Sequence, residues 1–200
     1  NAMRGLFDQS KTLYIHVNDE KGIVDAVEFS NSQGLSKSVI VGGYEAFKVA
    51  NYLKENGISV LLNRVHSRPN HDDHDYDLPY KIAYLLIEAG VTVGLETSGD
   101  MERMNSRNLP FYAGTTVAHG LSKEQALQLI TLNTAKILGI DSHYGSLEVG
   151  KSATLFISSG DALDMRTNNL TNAFIDGRNI SLESHQTKLW KRYSKKYEKN

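Results

Sequence analysis

From Thr12 onward, short β-branched and apolar runs alternate with longer runs whose apolar positions recur every three or four residues. Residues 12–17, 38–41, 59–62 and 91–95 read as strands. Between them, residues 19–33, 44–56 and 78–89 read as amphipathic helices, closed by Gly34, Gly57 and Gly90. Strands separated by helices with short joints predict a parallel sheet buried on both faces, with right-handed crossovers. Further on, residues 109–118 and 122–138 carry helical spacing, the second run opening on a capping box, Ser122 to Gln125. Residues 145–150 are turn-rich and 153–158 read as a strand. Ala173 to Ile175 and Asn179 to Ile180 flank Asp176-Gly177, a strong hairpin signal. Residues 183–200 have helical spacing at Leu189, Tyr193 and Tyr197.

Two architectures fit four parallel strands: a doubly wound sheet, or part of a (β/α)8 barrel. The strand ending at Val41 runs into Gly42-Gly43-Tyr44, which lacks the spacing of a dinucleotide fingerprint, so a nucleotide-binding sheet is disfavoured.

Composition narrows the function classes. Apolar residues make up 40% of the chain, enough for a packed core. A net charge of -1 supplies no basic field for nucleic acid, and no apolar run is long enough to span a membrane. The absence of cysteine removes disulfides, thiolate zinc sites and cysteine nucleophiles. Asn1-Ala2 before Met3 reads as a tag-cleavage scar.

The stretch 121–127, Leu-Ser-Lys-Glu-Gln-Ala-Leu, its continuation 131–139, Thr-Leu-Asn-Thr-Ala-Lys-Ile-Leu-Gly, and the segments 145–151 and 153–157 occur in a specific order. Together with Asp176-Gly177-Arg178 they resemble the end of an amidohydrolase-superfamily barrel, most closely the imidazolonepropionase-like hydrolases. The resemblance implies an α/β chain forming the C-terminal half of a (β/α)8 TIM-type barrel, followed by part of a small β-sandwich. The expected organisation is residues 1–3 as scar and start, 11–140 as the half barrel, 144–182 as the sandwich segment and 183–200 as a basic helix. The four parallel strands then correspond to barrel strands five to eight. The first four, with their His-x-His, lie outside this chain.

The resemblance also implies roles for strand-end residues. His16 matches a fifth-strand ligand for a divalent metal such as zinc; read without it, His16 is a lone strand-end histidine. The sixth-strand ligand position falls on Gly42 and the eighth-strand acid on Ser98, neither of which serves a metal well. Asp100, two residues beyond Ser98, is the candidate catalytic acid, and Glu96, two residues before it, the other possible replacement. Asp100 reads equally as a turn cap. After the seventh strand, a loop rich in His and Asp (His66, His71, His74, Asp72, Asp73, Asp75, Asp77) overhangs the expected mouth. It reads as a solvated acidic loop, a metal-binding loop or a polar-substrate contact, with His66 and Arg68 as the substrate-binding candidates. His119 reads as surface or helix-end. The basic tail reads as an amphipathic helix with its aromatic residues packed inward.

Two functions follow. One is a fragment of a metal-dependent hydrolase acting on the C–N bond of a small-molecule amide or cyclic amide. The other is a non-catalytic relative serving binding or assembly. A half barrel exposes strand edges, so either reading implies a homo-oligomer or a partner chain supplying the first half.

Overall fold

The computed structural model describes residues 3–63, 65–99 and 102–197. A short helix α1 (Arg4–Phe7) precedes the alternating region, which runs β1 (Leu13–Val17), α2 (Glu20–Ser32), β2 (Ser38–Gly42), a 3-10 turn (Ala46–Val49), α3 (Ala50–Glu55), β3 (Ser59–Leu62), α4 (Leu78–Glu88) and β4 (Val93–Leu95). The four strands form one parallel sheet in sequential order, β1-β2-β3-β4, as the alternation predicts. Neither β1 nor β4 has a second strand partner among the described residues.

Local chemistry accounts for the boundaries. Asp19 caps α2, its carboxylate accepting the Gly22 N–H at 2.8 Å. Strand β4 starts at Val93 rather than Val91 because the Val91 N–H is spent on the Leu86 carbonyl at 3.0 Å, closing the end of α4. The helix expected over residues 44–56 is instead a 3-10 turn followed by α3, interrupted at Val49, whose backbone (φ -116°, ψ 23°) is not helical.

The sheet has two unlike faces. On one, Ile40, Val60, Leu62, Val93 and Leu95 pack against Ile23 and Val27 of α2, Leu53 of α3 and Ile82 and Leu86 of α4. On the other, Val39, Val41 and Leu61 meet Ile137. Fully burying each such side chain contributes about 1.5–3 kcal/mol.

After β4 come a 3-10 segment (Glu102–Asn108), α5 (Leu109–Val117), α6 (Lys123–Ile130) and α7 (Leu132–Leu138). The Ser122–Gln125 capping box forms in full. The single helix expected over 122–138 does not form; it breaks at Thr131 (φ -127°, ψ -97°), whose hydroxyl donates to the Leu127 carbonyl at 2.7 Å. The two faces of the sheet explain the break. Leu129 of α6 belongs to the large core on one face, while Ile137 of α7 belongs to the cluster on the other. One straight helix would not reach both. Gly94 of β4 makes the second contact possible, since a Cβ there would meet Thr134 Oγ1 at 2.7 Å and Leu61 Cδ2 at 2.9 Å.

A smaller antiparallel sheet follows, β5 (Leu155–Ser158), β6 (Leu170–Ile175) and β7 (Arg178–Asn179). Asp176 and Gly177 join β6 to β7 with positive φ at both positions (48° and 76°), as a two-residue I′ hairpin demands. Phe156, Ile157 and Ile175 remain about half exposed, so this sheet has an apolar surface left partly uncovered. The last helix, α8 (His185–Tyr197), buries no residue. The expectation that its aromatics pack inward is corrected: Trp190, Tyr193 and Tyr197 are 69%, 55% and 74% exposed. No helix of the described residues is long and apolar enough to cross a membrane.

Candidate functional site

Because all four strands of the first sheet run the same way, their C-terminal ends share one rim. In open α/β sheets ligands bind on that side. The loops there hold most of the residues singled out in the sequence.

The loop after β3 is tied to the turn after β2. The Tyr44 hydroxyl accepts the Asn70 N–H at 3.0 Å and is hydrogen-bonded to His74 Nδ1 at 3.2 Å, with the two rings stacked at 5.8 Å. His71 packs edge-on against His74 and lies 3.7 Å from Glu45. Glu45 also accepts from Lys48 Nζ and from the Glu20 N–H, both at 2.8 Å. The Lys48 bond, then the Glu20 amide, hold its carboxyl below the usual range. The His/Asp-rich loop is therefore anchored through its histidines.

His66 lies between helices. Its ring meets Tyr112 of α5 at 4.6 Å and Tyr80 of α4 at 5.9 Å, both edge-on, and its Nε2 is 2.6 Å from Thr115 Oγ1. The Thr115 hydroxyl proton is already committed to the Phe111 carbonyl at 2.9 Å. Nε2 must therefore donate, which assigns the proton to Nε2 and leaves Nδ1 with its lone pair. Burial against these rings pushes the His66 pKa down. The residue opens on a cleft of about 410 Å³ lined also by Phe111, Lys123, Asp161 and Arg166. Its charges are matched in pairs, Lys123 with Asp161 at 2.7 Å and Arg166 with Asp164 at 2.8 Å. Gly114 lets the backbone of Leu163 close against α5. His119, expected at the surface or a helix end, follows the end of α5, stacks on Tyr80 at 5.1 Å and lies 3.6 Å from the buried Asp77. Arg68 is exposed in the same loop.

The remaining strand-end residues do not assemble around His16. His16 is exposed on β1, sharing a face with Tyr14, whose hydroxyl donates to the Ile137 carbonyl at 3.2 Å. Gly42 has φ +97°, and a side chain there would run into Asn18 Oδ1 and the Val17 carbonyl, so no ligand replaces it without moving the first strand's end. Ser98 is exposed, its N–H donating to Glu96 Oε2 and its carbonyl accepting from Asn63 Nδ2 at 3.0 Å. Asp100 lies outside the described residues. Among the described residues no group of three His, Asp or Glu side chains is placed to hold a metal ion. The donor set as it stands does not fit one. Asn63 and the His66–Thr115–Tyr112 cluster were invisible to sequence reasoning as units, because their members come from separate elements.

A parallel sheet with its chemistry at one rim, a capped helix after the last strand and a trailing antiparallel sheet set the frame for comparison with known proteins. The amidohydrolase family model matches residues 80–180, half of the chain. This chain belongs to the amidohydrolase family. Among amidohydrolase relatives, the imidazolonepropionase of Symbiobacterium thermophilum is 37% identical over 82 residues, covering 40% of this chain and 19% of that protein. The amidohydrolase from Thermotoga maritima superposes with a TM-score of 0.78 at 26% identity, over 89% of this chain and 45% of that one. A zinc-bound adenosine deaminase from Xanthomonas campestris shares the fold at a TM-score of 0.60 and 18% identity, over 98% of this chain and 53% of its own. The chain thus spans about half the length of these solved amidohydrolase-type structures, and less of the curated relative.

Proposed function

We propose that this chain is the C-terminal half of an amidohydrolase-type barrel, whose parent activity is hydrolysis of a C–N bond in a small-molecule amide or cyclic amide. One observation carries the reading. Among the described residues the four-stranded parallel sheet ends at β1 and β4 without further strand partners, while most of the chain superposes on under half of the Thermotoga amidohydrolase. An upstream segment or a partner chain supplies the other strands, and β5 to β7 form part of the appended sandwich. Divalent metal, zinc by analogy with the Xanthomonas deaminase, supplies the Lewis acid for such hydrolysis. The residues present here do not build that centre alone, so hydrolysis is a property of the completed barrel.

A second reading, a relative that keeps the barrel rim for binding, is favoured by Gly42, where the backbone excludes a ligand side chain. Zinc analysis separates the two. After dialysis against zinc, the chain alone is expected to retain well under one equivalent. If the completed barrel takes up stoichiometric zinc and loses it on His16→Ala, the hydrolase reading stands. A completed barrel that stays zinc-free and folded leaves the binding reading. Light scattering is expected to show the isolated chain self-associating, and a stable, well-behaved monomer would overturn the predicted pairing.

A further inference from the structure

Among the described residues, the ends of β3 and β4 hold two side-chain oxygens without a hydrogen-bond partner. Asn63 Oδ1 and Glu96 Oε1 are both shielded from solvent and accept no hydrogen bond. Their positions are matched across the ladder. Leu62 pairs with Leu95, and the Glu96 N–H donates to the Leu62 carbonyl at 2.9 Å, which sets Asn63 beside Glu96. Alternation from Leu61 and Gly94 carries both side chains towards the face that Ile137 lines.

Two nearby donors are engaged. Asn63 Nδ2 bonds the Ser98 carbonyl, and the Ser98 N–H bonds the other oxygen of Glu96. The two atoms left unpaired are both acceptors, one oxygen neutral and one on a carboxylate. Glu96 takes part in none of the ion pairs among the described residues. An unpaired buried acceptor costs about 1–3 kcal/mol, and a charged one more. Two side by side, at the rim where α/β sheets take ligands, form a site that lacks its donor.

We infer that Asn63 and Glu96 form a cradle for a cationic N–H donor, a guanidinium or primary ammonium group on a small molecule. A cation with at least two N–H bonds satisfies both oxygens and neutralises Glu96, and the planar fork of a guanidinium fits two neighbouring acceptors best. A metal ion is the poorer match, since among the described residues only one carboxylate and one amide oxygen are offered. Both side chains are themselves partly exposed.

The test is a titration of the ¹⁵N-labelled chain with methylguanidinium and methylammonium at constant ionic strength. Tetramethylammonium, with the same charge and no N–H, is the control. The Ser98 amide and the Asn63 carboxamide signals should shift saturably with the two N–H donors and not with the control. Glu96→Gln keeps the shape and removes the charge, and should weaken binding about ten- to a hundredfold. Asn63→Ala removes the neutral acceptor and should weaken binding as well. The inference fails if tetramethylammonium gives the same shifts, if Glu96→Gln binds as well as the parent, or if the folded protein shows no saturable shift with either donor. Zinc uptake plays no part in this readout, so its failure leaves the half-barrel reading untouched, and the reverse holds as well.

Discussion

His66 shows how far a single residue could be read in advance. Its place after β3 marked it as a rim residue, and the structure adds that its proton sits on Nε2 and that burial pushes its pKa down. The unfolded imidazole titrates near its ordinary 6.5. Below that value the unfolded chain takes up a proton that the folded chain resists, so His66 lowers stability as pH falls. Above it both states are neutral and the effect vanishes. Urea melts between pH 7.5 and 5 should show stability falling with acid, and His66→Gln should flatten that slope. An unchanged slope would show that the ring is not shielded as described. The carboxylates held low by their partners, Glu45, Asp77 and Asp161, act only further into acid. The partners of His66 were not legible in the sequence. Thr115 lies 49 residues away, and no periodicity links a loop histidine to the inner side of a later helix. Asn63 escaped notice for a related reason: an amide at a strand end carries no pattern of its own, and its meaning comes from Glu96 on the next strand.

At the level of elements, hydrophobic spacing located all four parallel strands and the helices between them to within a few residues. It failed where tertiary packing overrides local pattern. The apolar spacing of residues 122–138 runs unbroken through Thr131, and the break exists only because α6 and α7 serve opposite faces of one sheet. The tail failed in the other direction. Its aromatic spacing suggested inward packing, yet α8 buries nothing. Removing residues 183–200 should therefore change unfolding free energy by no more than about 0.5 kcal/mol, as for surface changes that break no buried contact. Calorimetry on the shortened chain checks this. A loss of several kcal/mol would mean that α8 packs against the body in solution.

The whole molecule carries the family resemblance more securely than it carries a site. The 121–157 stretch resembled the end of an amidohydrolase barrel, and the matched region, residues 80–180, contains it. The positions where the resemblance implies metal ligands, Gly42 and Ser98, carry residues that do not serve as such. A ligand set is assembled from several strands, so a run of four shows the fold before it shows the chemistry.

The sequential strand order has a consequence for the amide protons. The Leu13 N–H bonds Lys37 and the Gly43 N–H bonds Val17, so along β1 the N–H groups of Tyr14 and His16 point away from β2. The Glu96 N–H bonds Leu62, so along β4 those of Val93 and Leu95 point away from β3. Hydrogen exchange in the isolated chain should be fast at these positions and slow at their strand neighbours Ile15 and Gly94. On the half-barrel proposal, mixing with a chain that completes the barrel should slow them together. If they stay fast in the mixture, the sheet has not closed. Alternate residues along two edge strands thus act as a clock for assembly, and one that keeps time whether or not the completed barrel has any catalytic activity.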